Sequence, residues 1–314
     1  MALPPDSAAM MAEIDMDYDA ALRNIHSDEA GNKSWRDVTY AVEQGFRPLM
    51  LDITVPKGKG PFPLVVFIHG GAWFVGHPTI SNPKYNKLNF HEKLVKAGFA
   101  VARIAYRFSA EGRFPMQLHD CKAAIRFLRH HATTFNVDPK KFVAMGDSAG
   151  GHLAALVGVT NNNPAMEGRV GNAIASSEVQ AVVDWFGPIN FLTMEAEARA
   201  MKVNWPSHDA ADAPEALLIG GPVQENKAAA MAASPLSYVT NSAPPFFIQH
   251  GTKDRMVPYA QSQTFADALK KAGCDVTLKP IEGADHCFWG VGEAGIVEEV
   301  ISFLTRVLYA QRTA

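Results

Sequence analysis

Ser148 stands in the run Gly146-Asp147-Ser148-Ala149-Gly150-Gly151, between Lys141-Phe142-Val143-Ala144-Met145 and His152-Leu153-Ala154-Ala155-Leu156-Val157. That reads as a strand, a sharp turn and a helix. A serine lifted on such a turn can attack a carbonyl, and glycines must flank it because backbone segments approach too closely there for larger side chains. The bare Gly-x-Ser-x-Gly spacing arises by chance in roughly one chain in ten of this length. The strand before it and the helix after it are what give it weight.

A serine nucleophile needs a base, an acid to orient the base, and donors for the oxyanion. If the chain order is serine, acid, histidine, the base must follow the last core strand, and of the eleven histidines only His286 does so. His208 and His250 precede the best acid candidate, and His152, one helical turn after Ser148, reads as a packing or surface residue. The acid should stand just past the end of a strand. Asp254, in His250-Gly251-Thr252-Lys253-Asp254 after Pro245-Phe246-Phe247-Ile248-Gln249, fits that place. Asp285, the chain neighbour of His286, and Asp184, ending an earlier strand, are the alternatives. For the oxyanion, Gly70 and Gly71 follow the apolar run Pro63-Leu64-Val65-Val66-Phe67-Ile68, and their N–H groups are expected to be free. The N–H of Ala149, next after the nucleophile, would join them.

These residues need a scaffold. From Val38 to Ile281 short β-branched or aromatic runs alternate with longer helix-like segments, which predicts a largely parallel sheet with helices on both faces. Expected strands are 49–55, 64–69, 100–106, 142–146, 179–185, 245–251 and 276–281, and expected helices are 116–131, 147–159, 261–272 and 296–309. Residues 1–35 and 187–240 break the alternation. They are read as an N-terminal cap segment and as an insertion in an α/β domain spanning 36–314, either of which could serve as a lid or cap or be ordinary surface.

Composition narrows the classes. With 314 residues, 47% hydrophobic and 19% charged, the chain can fill one large core. A net charge of −3 offers no footprint for nucleic acid or an anionic lipid surface. The three cysteines, Cys121, Cys274 and Cys287, are widely spaced and point to a reducing compartment, hence the cytoplasm. Residues 1–26 lack a basic start and an apolar run, so no export signal is expected, and no apolar stretch reaches the roughly 20 residues of a membrane span.

The motif set resembles the α/β-hydrolase superfamily, and within it bacterial esterases of the hormone-sensitive-lipase-like and feruloyl-esterase-like (BD-FAE) type. The likeness rests on His69-Gly70-Gly71-Ala72-Trp73, on Tyr106-Arg107 with Phe114-Pro115 and Asp120, on the Ser148 motif, and on His250 to Asp254 with Asp285-His286. It covers about residues 50–305. The resemblance implies the α/β-hydrolase fold, a triad of Ser148, Asp254 and His286, an oxyanion hole from Gly70, Gly71 and Ala149, and neither cofactor nor metal. It implies hydrolysis of short-chain or aromatic acyl esters. Ala72, where many lipase-like members have a third glycine, leaves an arylformamidase open, and a non-catalytic receptor of the same fold is the rival from another class. Trp73, Phe74, Phe186, Trp205, Phe288 and Trp289 are the aromatic residues expected to wall the substrate pocket. The expected partner is a small-molecule ester, and the assembly to test is a homodimer.

Overall fold

A computed structural model of the chain describes residues 19–80, 83–171, 174–202 and 206–309. In chain order its strands are β1 (His26–Ser27), β2 (Lys33–Ala41), β3 (Leu49–Val55), β4 (Phe62–Ile68), β5 (Ala100–Ile104), β6 (Val137–Asp147), β7 (Ala181–Trp185), β8 (Phe246–Gly251) and β9 (Val276–Ile281). They form one sheet of nine strands in the order β1-β2-β3-β5-β4-β6-β7-β8-β9. From β5 to β9 every neighbouring pair is parallel, whereas β1, β2 and β3 extend one edge antiparallel.

The helices are α1 (Ala20–Arg23), α2 (Pro83–Leu88), α3 (Phe90–Lys96), α4 (Met116–His130), α5 (Ala149–Val159), α6 (Phe191–Ala200), α7 (Pro214–Ile219), α8 (Lys227–Ala233), α9 (Tyr259–Lys271) and α10 (Ile296–Tyr309). Parallel strands buried on both faces need apolar residues at nearly every position, and β4 shows it: Leu64, Val66 and Ile68 join one core while Val65 and Phe67 join the other. The first core takes in α4, α5 and α9, and the second takes in α3 and α10. Each of these fully buried aliphatic side chains contributes about 1.5–3 kcal/mol through removal of apolar surface from water. In α10 the buried residues Ile296, Val300, Phe303, Leu304 and Leu308 fall on one helical stripe, which is why this segment docks on the sheet.

The strands expected at 49–55 and 276–281 are observed with those bounds, and the helix expected at 296–309 likewise. Strand β2 was not expected, and the boundary placed at residue 35 falls inside it. The segment 187–240 contains α6, α7 and α8, and it is tied to α5 where His152 Nε2–H donates to Ala233 O at 2.6 Å. The block Tyr106-Arg107 with Asp120 is explained by a buried ion pair. Arg107 Nε donates to Asp120 Oδ2 at 2.9 Å, and the Arg107 backbone N–H donates to the same oxygen at 2.9 Å, fixing the end of β5 to α4. Tyr106 in turn donates its hydroxyl to His69 O at 3.0 Å, which steadies the loop after β4.

Candidate active site

The expected chemistry-bearing residues all emerge at the carboxyl ends of the parallel strands, where open α/β sheets present their crevices. Ser148 follows β6 directly and has φ 51° and ψ −120°. A non-glycine residue held there stores on the order of 1–3 kcal/mol of strain, which the surrounding packing must hold. The two flanking glycines are needed for space. A Cβ on Gly146 would lie 2.2 Å from Gly150 O, and one on Gly150 would lie 2.0 Å from Ile68 O, the last residue of β4.

His286, five residues past β9, and Asp254, three past β8, meet Ser148 in one chain of hydrogen bonds. Asp254 Oδ2 lies 2.7 Å from His286 Nδ1, and since a carboxylate can only accept, Nδ1 carries the hydrogen. That leaves Nε2 to accept from the Ser148 hydroxyl at 3.1 Å. Asp254 Oδ1 accepts the backbone N–H groups of Met256 and Val257, each at 2.9 Å. Burial pushes the Asp254 carboxyl upward, but the neighbouring His286 and His250 outweigh burial and hold it well below the usual carboxylate range.

The other acid candidates lie elsewhere. Asp285 accepts the N–H groups of Arg255 and His286 on Oδ1 and pairs through Oδ2 with the Arg255 guanidinium. Asp184 is fully buried, accepts Gly187 N–H at 2.8 Å, and is pushed up to about 6 by burial. His250, set aside as a base, is a second partner of Asp254: its Nε2 stands 3.2 Å from Asp254 Oδ2 and 2.9 Å from Val257 O. Its other nitrogen accepts from Ser262 at 2.7 Å. The strand-end position of His250 was visible in the sequence, but nothing there gave its direction.

One oxyanion expectation needs correction. Gly70 N–H is not free: it donates to Asp147 Oδ1 at 2.9 Å, because the side chain before Ser148 turns back under the loop after β4. Tyr85 donates its hydroxyl to Asp147 Oδ2 at 2.9 Å. Burial pushes the Asp147 carboxyl up to about 6 against these bonds. Gly71, Ala72 and Ala149, by contrast, have N–H groups with no protein acceptor among the described residues. Ala72 was noted in the sequence only as a departure from a glycine. Its φ of 54° shows that this loop holds an alanine in the left-handed region.

Ser148 lies on the wall between two cavities. The larger, about 470 Å³, is lined by Gly71, Phe74, Tyr85, His286, Cys287 and neighbours. The smaller, about 170 Å³, is lined by Trp73, Ala149, Pro188, His208, Glu215, Val257 and neighbours, and Ala72 and Met256 belong to both. Of the expected aromatic walls, Trp73 and Phe74 face these spaces. Phe186 and Phe288 do not. They are fully buried and pack on each other with ring centroids 4.8 Å apart, Phe186 also bracing the His286 ring at 4.8 Å. Trp289 is exposed beside Lys84 and lines neither cavity. Trp205 lies outside the described residues. Among the described residues no cluster of three or more His, Cys, Asp or Glu side chains could hold a metal ion, and no helix is long and apolar enough to cross a membrane.

A model of the BD-FAE family matches residues 51–269. The esterase LipQ of Mycobacterium tuberculosis is 31% identical over 282 residues, covering 88% of this chain and 63% of LipQ. The chain thus spans under two thirds of the length of that curated relative. Among solved structures, a truncated carbohydrate esterase from gut microbiota superposes with TM-score 0.77 at 32% identity, covering 90% of this chain and 99% of the other. Esterase 2 of Thermogutta terrifontis, with propionate bound, gives TM-score 0.65 at 26% identity over 94% and 97% of the two chains. The same esterase has also been solved phosphorylated by paraoxon, matching at TM-score 0.63 and 26% identity over 86% of this chain and 92% of that one.

Proposed function

The chain belongs to the BD-FAE family of α/β-hydrolases, and from that premise we propose that it is a serine carboxylesterase acting on short-chain acyl esters. The observation that carries the reading is the unbroken series Ser148 Oγ, His286 Nε2, His286 Nδ1, Asp254 Oδ2, with contacts of 3.1 and 2.7 Å. In this reading His286 takes the Ser148 proton as Oγ bonds to the ester carbon, and Asp254 fixes the tautomer and stabilises the imidazolium. The N–H groups of Gly71 and Ala149, joined by Ala72 in place of Gly70, stabilise the oxyanion. The C–O bond to the alcohol then breaks, and His286 returns its proton to that leaving oxygen. Water, deprotonated by His286, attacks the acyl-serine, and as the C–Oγ bond breaks His286 returns that proton to Ser148 Oγ and the acid leaves.

The two cavities divide the substrate. His286 must reach the leaving oxygen, so the alcohol occupies the larger cavity that His286 lines, and the acyl chain takes the smaller one beside Ala149. The propionate bound to the Thermogutta esterase supports a short acyl group.

Paraoxon tests the reading, because it phosphorylates a serine only where a base activates the hydroxyl and donors hold the added charge. One adduct is expected, mapping to the peptide with Ser148 and absent in Ser148→Ala, together with loss of p-nitrophenyl acetate hydrolysis. Labelling of another serine, or full activity in Ser148→Ala, overturns it.

A further inference from the structure

The smaller cavity contains two residues that the hydrolytic steps leave unused. His208 is 6% exposed and Glu215 4%, and His208 Nδ1 lies 3.2 Å from Glu215 Oε1. The remaining polar atoms of the pair, His208 Nε2 and Glu215 Oε2, are buried without any hydrogen-bond partner. Buried polar atoms are nearly always paired, so two unpartnered polar atoms on residues that line a cavity also holding Ser148 call for a ligand group that supplies a partner.

The pair is held in place. Glu195 Oε2 accepts the His208 backbone N–H and the Ser207 hydroxyl, each at 2.8 Å, and Glu215 stands in the first turn of α7. His208 Nδ1 faces a carboxylate oxygen, which can only accept, so Nδ1 carries the hydrogen and the ring is oriented by Glu215. Burial pulls the His208 imidazole down, but the Glu215 and Glu195 carboxylates outweigh burial and hold it above its ordinary value. The last torsion of a glutamate is soft, so the carboxylate can turn Oε2 toward an arriving group.

Resting on the esterase reading, the geometry points to the smaller cavity as an acyl subsite for hydroxylated short acyl groups, with the substrate hydroxyl donating to Glu215 Oε2, which can only accept. An apolar acyl chain of the same size leaves both protein atoms unpaired, and a site built around such a hydroxyl discriminates against the analogue that lacks it.

The test compares ethyl lactate with ethyl propionate, and ethyl 3-hydroxybutyrate with ethyl butyrate, by pH-stat on the full chain. The hydroxylated ester should be preferred in kcat/KM by about 10-fold or more in at least one pair. In Glu215→Leu that ratio should fall to about 1. Both rates come from one preparation, so a partly folded variant does not distort the ratio. Equal rates in both pairs for the unaltered protein, or a preference kept in Glu215→Leu, overturns this subsite and leaves the esterase reading standing. Hydrolysis of none of the four esters overturns both.

Discussion

Asp285 turns its carboxylate onto Arg255, whose Nε donates to Oδ2 at 2.7 Å and whose backbone N–H donates to Oδ1 at 3.0 Å. Although it adjoins His286 in the chain, it bonds the His286 backbone N–H rather than the ring. The ring nitrogen instead faces Asp254, 32 residues upstream. Asp254→Asn should therefore lower kcat on p-nitrophenyl acetate by about 10⁴-fold with the fold intact, as loss of a triad acid fixes the wrong tautomer. Asp285→Asn should stay within about tenfold of the unaltered protein, since it loosens a partly exposed ion pair. Steady-state rates with circular dichroism on both variants decide the assignment, and the reverse ranking would sink it.

Asp147 holds the loop after β4, the proposed oxyanion loop, from beneath through Gly70 N–H, while Tyr85 holds Asp147. Removing that carboxylate frees the loop without touching Ser148, His286 or Asp254. Asp147→Ala should cut kcat by up to about 10²-fold, the usual scale for a donor misplaced by an ångström, while paraoxon still labels Ser148 slowly. An unchanged kcat would mean that the loop holds its shape without this bond.

Much of the site was legible because its logic is local. The Ser148 turn needs glycines at both sides, and the fold's chain order puts the acid and then the base after later strands. What escaped was long-range direction. Nothing in the sequence shows that Asp147 takes the N–H of Gly70, 77 residues away, or that Phe186 and Phe288 turn into the core while Trp289 turns outward. Strand β2 was missed for a related reason. Its pairing with β3 shifts register between Trp35 and Val38, so its buried residues Trp35, Val38, Tyr40 and Ala41 break the alternation that announces a strand.

Asp184 gives a stability test. Its carboxyl is pushed up to about 6 by burial, so between pH 4 and 6 the folded protein keeps a proton that the unfolded chain releases. Stability from this group is therefore full below about pH 4, declines as pH rises to 6, and stays lower beyond, by on the order of a few kcal/mol. Buried His69 and His152 and half-buried His91, each pulled down to about 4, drive the opposite trend across the same window, so the measurement must be a difference. Asp184→Asn keeps an acceptor for Gly187 and cannot ionise. Relative to the unaltered protein, its stability in urea titrations should rise from pH 4.5 to 6.5. Parallel curves for the two proteins would show that Asp184 does not titrate there.

Acyl length tests the division of the two cavities. The smaller one, about 170 Å³, is walled by Trp73, whose Nε1–H donates to His152 Nδ1 at 3.2 Å, and His152 is itself anchored on Ala233. A wall pinned at both ends cannot yield to a longer chain without strain, and overfilled apolar pockets are penalised as overpacked cores are. Among p-nitrophenyl esters, kcat/KM should peak at four acyl carbons or fewer and fall by at least about tenfold at eight. The alcohol side, opening into about 470 Å³, should be tolerant, with methyl, butyl and benzyl acetates hydrolysed within about tenfold of one another. If octanoate outpaced butyrate while bulky alcohols were rejected, the acyl chain would have to lie in the larger cavity, and the orientation deduced from the His286 side of Ser148 would be reversed.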